Sequence, residues 1–561
     1  MQPKQTEAAT HFPFLEKSSL QAKVLPSELK PLSLAHPILD CQAAAAFEAK
    51  VLGNEDAEWA AMLTAGSAIK HGLVLDYQEL RPLPHRLRVL ALLGKGNNAG
   101  DALIACQQLL ADYPRAQVDL LCVEAIDALK PLPQRALQQL TVRVRIHFFD
   151  AAWAAAQCRD FLHEVTEGRG YHICLDGLLG MAFQPPLRPQ HAVLIDAVNE
   201  YSAIDLRAAV DLPSGCGGQP DAPVFKADMT YTTGIAKAPL FEGGAPHGRV
   251  RYLDLGFFEH ADKSLELSSE SILLPGLLNS LRTLRPPNVD KRSFGHLYIV
   301  GGSSFMPGAL LMAVQAALRS GVGLVTAFAP VSAAATLAAQ VPEAIWVPWP
   351  ESSSGTLSPK ALPLLTERIG KADAVLIGPG MGADRNTDFL AQQIVTNVDL
   401  PIILDADALR PRAIDMIRNR KSSAGPVVIT PHMGEFIRIA KLRKPETDPR
   451  KLIEFSSNTR VNLVLKGPIT RLCDGKHVYM NTYGGPVLSR GGSGDLLAGL
   501  IGGMIAQDKK DIPLATARAI TYHGLAAERL ARARGQVAVR TTEVLEFLPE
   551  VLRDPVWTNL P

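Results

Sequence analysis

Asp495 lies in a short run of small residues, RGGSGDLLAGL (490–500), that continues into an apolar, helix-like stretch. Gly492, Ser493 and Gly494 leave backbone amides free at a helix N-terminus, where N–H groups and the helix dipole attract anionic oxygens. A carboxylate beside such amides can take a proton from a hydroxyl group while a phosphoryl group is transferred to that hydroxyl. The simpler alternative is that Asp495 only caps the helix. No GxxxxGK[ST] pattern is present, which excludes a P-loop enzyme.

Other segments of the C-terminal half also place small or polar residues directly after a strand-like run. They are HLYIVGGSSFMPGA (296–309), AVLIGPGMG (374–382), VVITPHMGEF (427–436) and VNLVLKGPIT (461–470). His432 and Glu435 follow directly after one of these strands, and Lys466, Gly467 and Thr470 follow after another. Asp405 and Asp407, in ILDADAL, either help to organise Mg²⁺ or cap the next helix.

The N-terminal half contains a second group of residues suited to chemistry. A strand is followed by GKGNNAGDALIACQQLL, in which Asn97, Asn98 and Asp101 add oxygen atoms to a glycine-rich turn. Asp176 ends another strand, and Ser214 follows a third in AAVDLPSG. Oxygen ligands from Asn98, Asp176 and Ser214 suit a hard cation rather than zinc. The alternative for the first segment is a tight turn that Asp101 caps.

The elements that position these residues alternate between short aliphatic strands and amphipathic helices, which predicts two α/β domains with mostly parallel sheets. We expect a loosely ordered extension over residues 1–35, a first domain over 36–257, a polar linker over 258–289, and a second domain over 290–561.

Composition narrows the class of protein. The chain has 561 residues, a net charge of +1, and 47% hydrophobic residues, which argues against a nucleic-acid partner or an anionic membrane surface. No secretory signal and no membrane-spanning apolar run is evident. Seven scattered cysteines without a CxxC pair indicate reduced, buried thiols and a cytoplasmic protein. The sequence leaves open whether the chain forms a homo-oligomer.

The C-terminal motifs resemble those of the ribokinase-like superfamily and, more narrowly, the ADP/ATP-dependent NAD(P)H-hydrate dehydratases, over about 275–550. The narrower resemblance depends on PHMGE, GGSSFMPGA and GSGD. It implies that the hydrated nucleotide is contacted by Ala309, Gly382, His432 and Asp495. It also implies that the adenine nucleotide is contacted by Lys466, Gly467, Pro468, Ile469, Thr470 and Gly494.

The N-terminal motifs GKGNNAGDALIACQQL, DGLLGMAFQPPL and VDLPSG resemble those of the NAD(P)H-hydrate epimerases, which have a Rossmann-like fold. The resemblance implies a K⁺ site formed by Asn98, Asp176 and Ser214. It also implies that the substrate is bound by Asn97, Asn98, Ala99, Gly100, Asp101, Gly180, Met181, Ala182, Phe183, Gln184, Pro185, Pro186 and Asp211. Ala99 and Ala102 replace glycines of the usual motif, and we expect their methyl groups to narrow the site.

Together the two resemblances imply repair of hydrated NADH and NADPH (NADHX and NADPHX). The first domain interconverts the R and S epimers at C6, and the second uses ADP, with Mg²⁺, to dehydrate the S form. Asp495 is the catalytic base of that second reaction. The alternative is a small-molecule kinase of the same superfamily, joined to a non-catalytic nucleotide-binding module.

Overall fold

The computed structural model describes residues 34–140, 144–219, 221–242, 247–259 and 268–553. The expected extension over residues 1–35 therefore lies almost entirely outside the described residues. The prediction of two α/β halves is confirmed, because each half contains a largely parallel sheet with helices against it.

The N-terminal half contains nine strands and six α-helices among its described residues. The strands are β1 (Ala35–Leu39), β2 (Arg88–Leu93), β3 (Gln117–Cys122), β4 (Val144–Phe148), β5 (Tyr171–Gly177), β6 (Ile204–Val210), β7 (Met229–Thr233), β8 (Ala236–Lys237) and β9 (Arg249–Leu253). The helices are α1 (Cys41–Leu52), α2 (Glu55–Tyr77), α3 (Asn97–Asp112), α4 (Pro131–Gln138), α5 (Ala155–Val165) and α6 (Pro189–Glu200).

The C-terminal half adds ten strands and ten α-helices over its described residues. The strands are β10 (Glu270–Leu273), β11 (His296–Val300), β12 (Leu324–Pro330), β13 (Ile345–Trp349), β14 (Ala374–Ile377), β15 (Ile402–Leu404), β16 (Val427–Ile429), β17 (Val461–Leu465), β18 (Thr470–Cys473) and β19 (Val478–Asn481). The helices are α7 (Pro307–Arg319), α8 (Val331–Gln340), α9 (Pro363–Thr366), α10 (Arg385–Asn397), α11 (Pro411–Ile417), α12 (Met433–Ile439), α13 (Pro449–Thr459), α14 (Ser493–Gln507), α15 (Ile512–Arg534) and α16 (Val544–Arg553).

Successive residues of the central strands enter hydrophobic cores on opposite faces of each sheet. On β11, Leu297 and Ile299 belong to one core, whereas Tyr298 and Val300 belong to the other. Strands that are covered on both faces need apolar residues at every position, which explains the unbroken run LYIV. The same arrangement holds for β2 in the N-terminal half.

Strand order places both candidate sites at points where the order reverses. The seven-stranded sheet has the order β4-β3-β2-β5-β6-β7-β9, so the chain returns to the other side of β2 when it forms β5. In the twelve-stranded sheet, whose order begins β13-β12-β11-β14-β15-β16-β17, the chain returns to the other side of β11 when it forms β14. Loops that leave the carboxyl ends of such neighbouring strands diverge and leave a crevice for a ligand.

The two halves also share one sheet, which corrects the expected boundaries. The twelve-stranded sheet ends in the order β19-β10-β1-β8, and β1 and β8 come from the N-terminal half. Leu39 is in register with Lys237, and Ala35 with Leu273. The stretch 258–289 is therefore not a simple linker, since it contains β10 with Ile272 and Leu273 fully buried. Its charged and serine-rich composition concealed this four-residue strand.

All seven cysteines are free, in agreement with the prediction of reduced thiols. Five are buried, and Cys41 and Cys216 are half-buried. Burial raises the pKa of Cys106 to about 12, so this thiol is unreactive at neutral pH. Over the described ranges, no helix is both long and apolar enough to cross a bilayer.

Candidate active sites

The N-terminal site begins where β2 ends, and its geometry requires glycine at one point. A Cβ atom on Gly94 would lie 1.9 Å from the carbonyl oxygen of Leu178, so only glycine lets these loops approach. Helix α3 starts at Asn97, within the segment predicted as a turn, and Gly96 precedes it without a side-chain cap. Asp101 therefore lies inside the helix, and the capping alternative for this residue is wrong.

A cavity of about 280 Å³ at this point contains many of the predicted substrate-binding residues. Those that line it are Asn97, Asn98, Asp101, Gly180, Met181, Ala182 and Asp211. The structure does not place the remaining ones on the cavity wall. Ala99 and Gly100 are buried in α3, whereas Phe183, Gln184, Pro185 and Pro186 continue along the mostly exposed loop after β5.

The two alanines that replace glycines do not narrow this cavity. The side chains of Ala99 and Ala102 are fully buried in the hydrophobic core beneath α3. Each methyl group therefore points away from the ligand space. The expectation of a narrowed site is wrong, because it assumed a loop where the chain already forms a helix with an inward face.

Asp211 carries a strained backbone and a buried ion pair. Its φ is +64°, a left-handed conformation that a non-glycine residue adopts at a cost and that often marks a functional site. Lys237 on β8 donates from Nζ to Asp211 Oδ1 and to the carbonyl oxygen of Thr233 at 2.9 Å. The Lys237 side chain is only 3% exposed and lines the same cavity. Sequence reasoning missed this lysine, although a lysine within an apolar segment is a usable signal.

Further carboxyl groups crowd the cavity. Glu48 and Glu58, also missed from the sequence, line it from α1 and α2. Burial, with Asp211 as the next cause, raises the pKa of Asp101 well above its ordinary value, and burial also raises the pKa of Glu48. Both groups are therefore biased towards the protonated form, in which a carboxyl group can donate a hydrogen bond.

The three predicted K⁺ ligands meet at the strand ends beside the cavity. Ser214 donates to Asp176 through both Oγ, at 2.7 Å, and its backbone amide, at 2.8 Å. Asn98 donates from Nδ2 to the carbonyl oxygens of Leu179 and Val210. Their side-chain oxygens, together with these carbonyls, form an all-oxygen donor set of the kind that hard cations take. No metal-binding group of three or more His, Cys, Asp or Glu residues occurs in the described part of the chain.

The C-terminal site is held together by backbone contacts between the glycine loops after β11 and β14. The amide of Gly302 donates to the carbonyl oxygen of Pro379 at 2.7 Å. Gly382, with φ of +82°, donates from its amide to Asp407 at 2.8 Å. A Cβ atom on Gly380 would lie 2.9 Å from Cβ of Ala309, so the predicted ligand Ala309, in the first turn of α7, lies against the loop that contains Gly382.

The turn at the start of α14 has the features expected of an anion site. Gly492 is the N-cap, with φ of +89°, and no described side chain caps the helix at this end. Asp495 lies in the first turn of α14 rather than at the cap, so the simple capping alternative is wrong. A Cβ atom on Gly494 would lie 3.1 Å from Nζ of Lys466, which brings the Lys466–Thr470 loop against the amides of this turn.

Lys466 and Asp495 lie within one group of charges. Lys466 donates to Asp405 Oδ1 at 2.8 Å, and Thr430 donates to the same oxygen at 2.6 Å. Asp405 therefore orients Lys466 and does not cap a helix. Burial opposes the charge on Lys466, but Asp405 and Glu435 outweigh it, so the pKa of Lys466 is raised.

Asp495 has the pKa that a catalytic base needs near neutral pH. Burial first, and then the charge of Asp405, raise the pKa of Asp495 to about 7, although Lys466 opposes the shift. Asp407 and Glu435 also contribute to the increase. None of the described residues forms an ion pair with Asp495 itself. A half-buried carboxyl group with this pKa is half-ionised at neutral pH and can accept a proton during a reaction.

His432 is exposed and caps α12. Its Nδ1 accepts from the amides of Gly434 and Glu435, and Glu435 accepts in return from the amide of His432 at 2.8 Å. This reciprocal capping fixes the imidazole beside Glu435 and leaves 62% of it exposed, available to a ligand. Pairing between His432 and Lys466 also joins this loop to the Lys466–Thr470 loop.

A larger cavity, of about 600 Å³, lies between the two halves and contains none of the predicted site residues. Its charged groups include Asp76, Arg251 and Glu528, which are already bound to one another as ion pairs. We therefore assign the chemistry to the two strand-end sites and not to this cavity.

Comparisons with known proteins match a separate family to each half of the chain. The chain matches the NAD(P)H-hydrate dehydratase family over residues 297–550 and the family described as YjeF-related protein N-terminus over residues 59–238. A solved structure of the ADP/ATP-dependent NAD(P)H-hydrate dehydratase from Bacillus subtilis, co-crystallized with ATP and Mg²⁺, is 26% identical, with a TM-score of 0.41. The match covers 48% of this chain and 93% of the Bacillus subtilis chain.

Two curated relatives span both halves. The bifunctional NAD(P)H-hydrate repair enzyme Nnr of Moorella thermoacetica is 31% identical over 478 residues, covering 83% of this chain and 88% of the relative. The enzyme of the same name from Gloeobacter violaceus is 31% identical over 509 residues, covering 88% of this chain and 94% of the relative. The chain therefore belongs to the family of bifunctional NAD(P)H-hydrate repair enzymes, with an epimerase domain followed by a dehydratase domain.

Proposed function

We propose that this chain restores NADHX and NADPHX to NADH and NADPH through two separate sites. The N-terminal site interconverts the R and S epimers at C6, and the C-terminal site dehydrates the S form at the expense of ADP. The observation that carries the second assignment is Asp495, a carboxyl group with a pKa of about 7 beside the uncapped amides of α14.

In the C-terminal site, Asp495 takes the proton of the C6 hydroxyl as the hydroxyl oxygen attacks the terminal phosphorus of ADP. The bond from that phosphorus to the bridging oxygen breaks, and AMP leaves. The phosphate on C6 then departs with its bonding electron pair, a proton leaves C5, and the C5–C6 double bond of the dihydropyridine forms again. Phosphorylation is needed because hydroxide is a poor leaving group. The amides of Gly494 and Asp495 and the ammonium of Lys466 stabilise the transferring charge.

The other ligands are proposed from the resemblance of their motifs to those of the family. Lys466, Gly467, Pro468, Ile469, Thr470 and Gly494 bind the adenine nucleotide, and Ala309, Gly382, His432 and Asp495 bind the hydrated nucleotide. ADP is the proposed donor because of the resemblance to dehydratases of bacterial type. Mg²⁺ would neutralise phosphate charge, and Asp405, Asp407 and Glu435 offer the carboxylate oxygens that suit it. His432 and Glu435 fix one another, so the substrate meets a preset surface.

In the N-terminal site, Asn97, Asn98, Ala99, Gly100, Asp101, Asp211 and residues 180–186 bind the substrate. Ala99 and Gly100 contribute through the main chain, because their side-chain positions face the protein interior. Asn98, Asp176 and Ser214 would hold K⁺, whose charge attracts the nucleotide's phosphates. A cytoplasmic location follows from the seven free cysteines.

The test is to incubate the full chain with hydrated NADH, Mg²⁺ and either ADP or ATP. We expect NADH absorbance to return together with AMP and free phosphate, and ADP to give the higher rate. Both epimers should be consumed, and replacing K⁺ by Li⁺ should slow only the use of the R form. Accumulation of a stable phosphoester would instead identify a small-molecule kinase, and use of the S form alone would identify a non-catalytic N-terminal domain.

A further inference from the structure

The segment that leads into the turn at Asp495 is held by residues of the epimerase domain. Arg249 on β9 donates from Nη2 to the carbonyl oxygen of Gly484, 2.6 Å away. On the other side, Glu528 of α15 accepts from the amide of Gly484 at 3.0 Å and forms a buried ion pair with Arg251 of β9. Both polar groups of Gly484 are therefore bound to charged side chains, one of them from the other domain.

A second contact reaches the opposite end of the same segment. Glu79, just after α2, has a side chain that is only 2% exposed. Its Oε2 accepts from Nη1 of Arg249 and from Nε2 of Gln536, each at 2.6 Å. The carbonyl oxygen of Gln536 in turn accepts from Nη2 of Arg490 at 2.6 Å. Arg490 is the first residue of the RGGSGD turn, so one carboxylate oxygen of the epimerase domain is connected to both ends of segment 484–490.

The segment needs such support because its own backbone can adopt many conformations. It joins β19 to α14 with only one short 3₁₀ turn, and it contains Gly484 and Gly485. Gly485 has φ of +146°, and a Cβ atom there would lie 2.9 Å from Cζ of Arg249. Glycine at this position therefore makes room for the guanidinium, and the guanidinium then restricts a segment that would otherwise sample many conformations.

We propose that Glu79 and Arg249 are positioning residues of the dehydratase reaction, which place the 490–495 turn and thereby Asp495. This inference rests on the proposed dehydratase activity and assigns the epimerase domain a second task. Neither residue lines the epimerase cavity or is among the proposed ligands of the dehydratase site. Their effect is expected on the rate of the chemical step, because reacting groups displaced by about 1 Å can lose about 100-fold in rate.

The experiment measures both activities of the full chain in Glu79→Gln, Arg249→Gln, the double variant, and Arg249→Lys. We expect the single Gln variants to lower kcat for dehydration of the S epimer by about 10-fold to 100-fold. KM for ADP should rise by a smaller factor than kcat falls, because Gly494 is the only proposed ligand of ADP within the displaced turn and the Lys466–Thr470 loop is untouched. Epimer exchange should stay at the wild-type rate, since neither residue lines that cavity.

Two comparisons separate positioning from simple loss of stability. The effects in the double variant should fall short of the product of the single ones, because both changes act on one turn. Arg249→Lys keeps the charge but cannot reach Glu79 and Gly484 together, so it should recover only part of kcat. Tyr231→Phe is the matched control, because it removes a 3.0 Å hydrogen bond to Asp76 in the same buried cluster without touching segment 484–490.

Several outcomes would overturn the inference. An unchanged dehydratase kcat in both Gln variants would show that the turn needs no support from the other domain. Equal losses of both activities, in step with a lower unfolding temperature and shared by Tyr231→Phe, would show a purely structural role. Should the Gln variants fail to fold, the same test is made with Arg249→Lys and Glu79→Asp. A fall in dehydratase kcat relative to the rate of epimer exchange supports positioning, and an unchanged ratio of the two contradicts it. A wild-type chain without dehydration would refute the proposed function itself.

Discussion

The epimerase and dehydratase sites occupy corresponding places in their sheets, yet their central aspartates have opposite charge environments. Asp211 lies within reach of Nζ of Lys237, and this pair is almost completely buried. Asp495 lies at the start of a helix, with Asp405, Asp407 and Glu435 close enough to raise its pKa. In the second site the lysine is still present, but Lys466 is bound to Asp405 instead.

The difference teaches how a shared architecture acquires distinct chemistry. Each site has a lysine among several carboxyl groups, and the two lysines bind different partners. Lys237 binds Asp211, whereas Lys466 binds Asp405 and forms no ion pair with Asp495. A carboxylate paired with an ammonium binds and orients, and it is a weak base. Asp495 lacks such a partner, and burial and the neighbouring carboxylates raise its pKa to about 7, so it can take up a proton near neutral pH.

The largest expected effect tests whether Asp495 is the base of the dehydratase reaction. Asp495→Asn keeps the side-chain shape and removes the proton acceptor, so we expect dehydration to fall by about 1,000-fold or more. Phosphate release and the return of NADH absorbance measure this loss. Epimer exchange in the same preparation is the internal control and should be unchanged. A joint loss of both activities would contradict separate sites.

The ion pair of the epimerase site should be equally specific to its own domain. Lys237→Met leaves Asp211 as an uncompensated buried charge, which costs about 3–5 kcal/mol of folding free energy. We expect epimer exchange to fall by about 100-fold while dehydration of pure S epimer continues.

Lys70→Met is the matched control for Lys237→Met, because it removes a lysine from an ion pair with Asp112 that lies outside the cavity. The two unfolding temperatures measure the difference in stability. Equal effects of the two substitutions on epimer exchange would show that the buried pair has no role in the site.

The raised pKa of Asp495 predicts a pH dependence of the dehydratase reaction. Because the base must be ionised, kcat/KM for dehydration should fall about tenfold per pH unit below about 7 and level off above it.

The same pKa predicts a pH dependence of stability. The folded state binds the proton of Asp495 more tightly than the unfolded chain does, so the stability that this proton contributes is lost as the pH rises from about 4 through about 7. At pH 8 the free energy of unfolding of Asp495→Asn should therefore exceed that of wild type by about 2 kcal/mol. At pH 4 the two proteins should be equally stable. A pH-independent difference would refute the assignment.

The smallest effect concerns the alanines of the epimerase motif. Ala99→Gly should leave epimer exchange unchanged, because the methyl group faces the core and not the cavity. It should lower the free energy of unfolding by about 1 kcal/mol, since glycine weakens a helix interior. Chemical denaturation measures the cost, with Ala102→Gly as the parallel case. A faster epimerase in either variant would show that these methyl groups do obstruct the substrate.

The sequence predicted the strands and the residues that follow them because both are local signals. Unbroken apolar runs such as HLYIV marked the covered strands, and the glycines of GGS and GPGMG marked the loops at the reversal of strand order. The sequence placed His432 and Lys466 just beyond strands, and the structure pairs their two loops.

What the sequence did not reveal depends on contacts between distant segments. Lys237 looked like an ordinary lysine until β8 brought it to Asp211. The strand β10 was hidden in a polar stretch, since a four-residue strand has too short a pattern to detect. The start of α3 was placed too late because the asparagines of GKGNNAG are common in turns, and the interior packing that favours a helix there is not visible locally.

The pairing of β1 with β8 and β10 has a consequence for how this chain is made. During synthesis, β1 emerges first but cannot complete its sheet until β19, more than 400 residues later, has left the ribosome. Contacts of such high sequence separation form slowly, and the waiting strands present open edges. Genetic separation of the halves near residue 260 would leave those edges uncovered on both fragments, so co-expressed pieces should aggregate more readily than the fused chain.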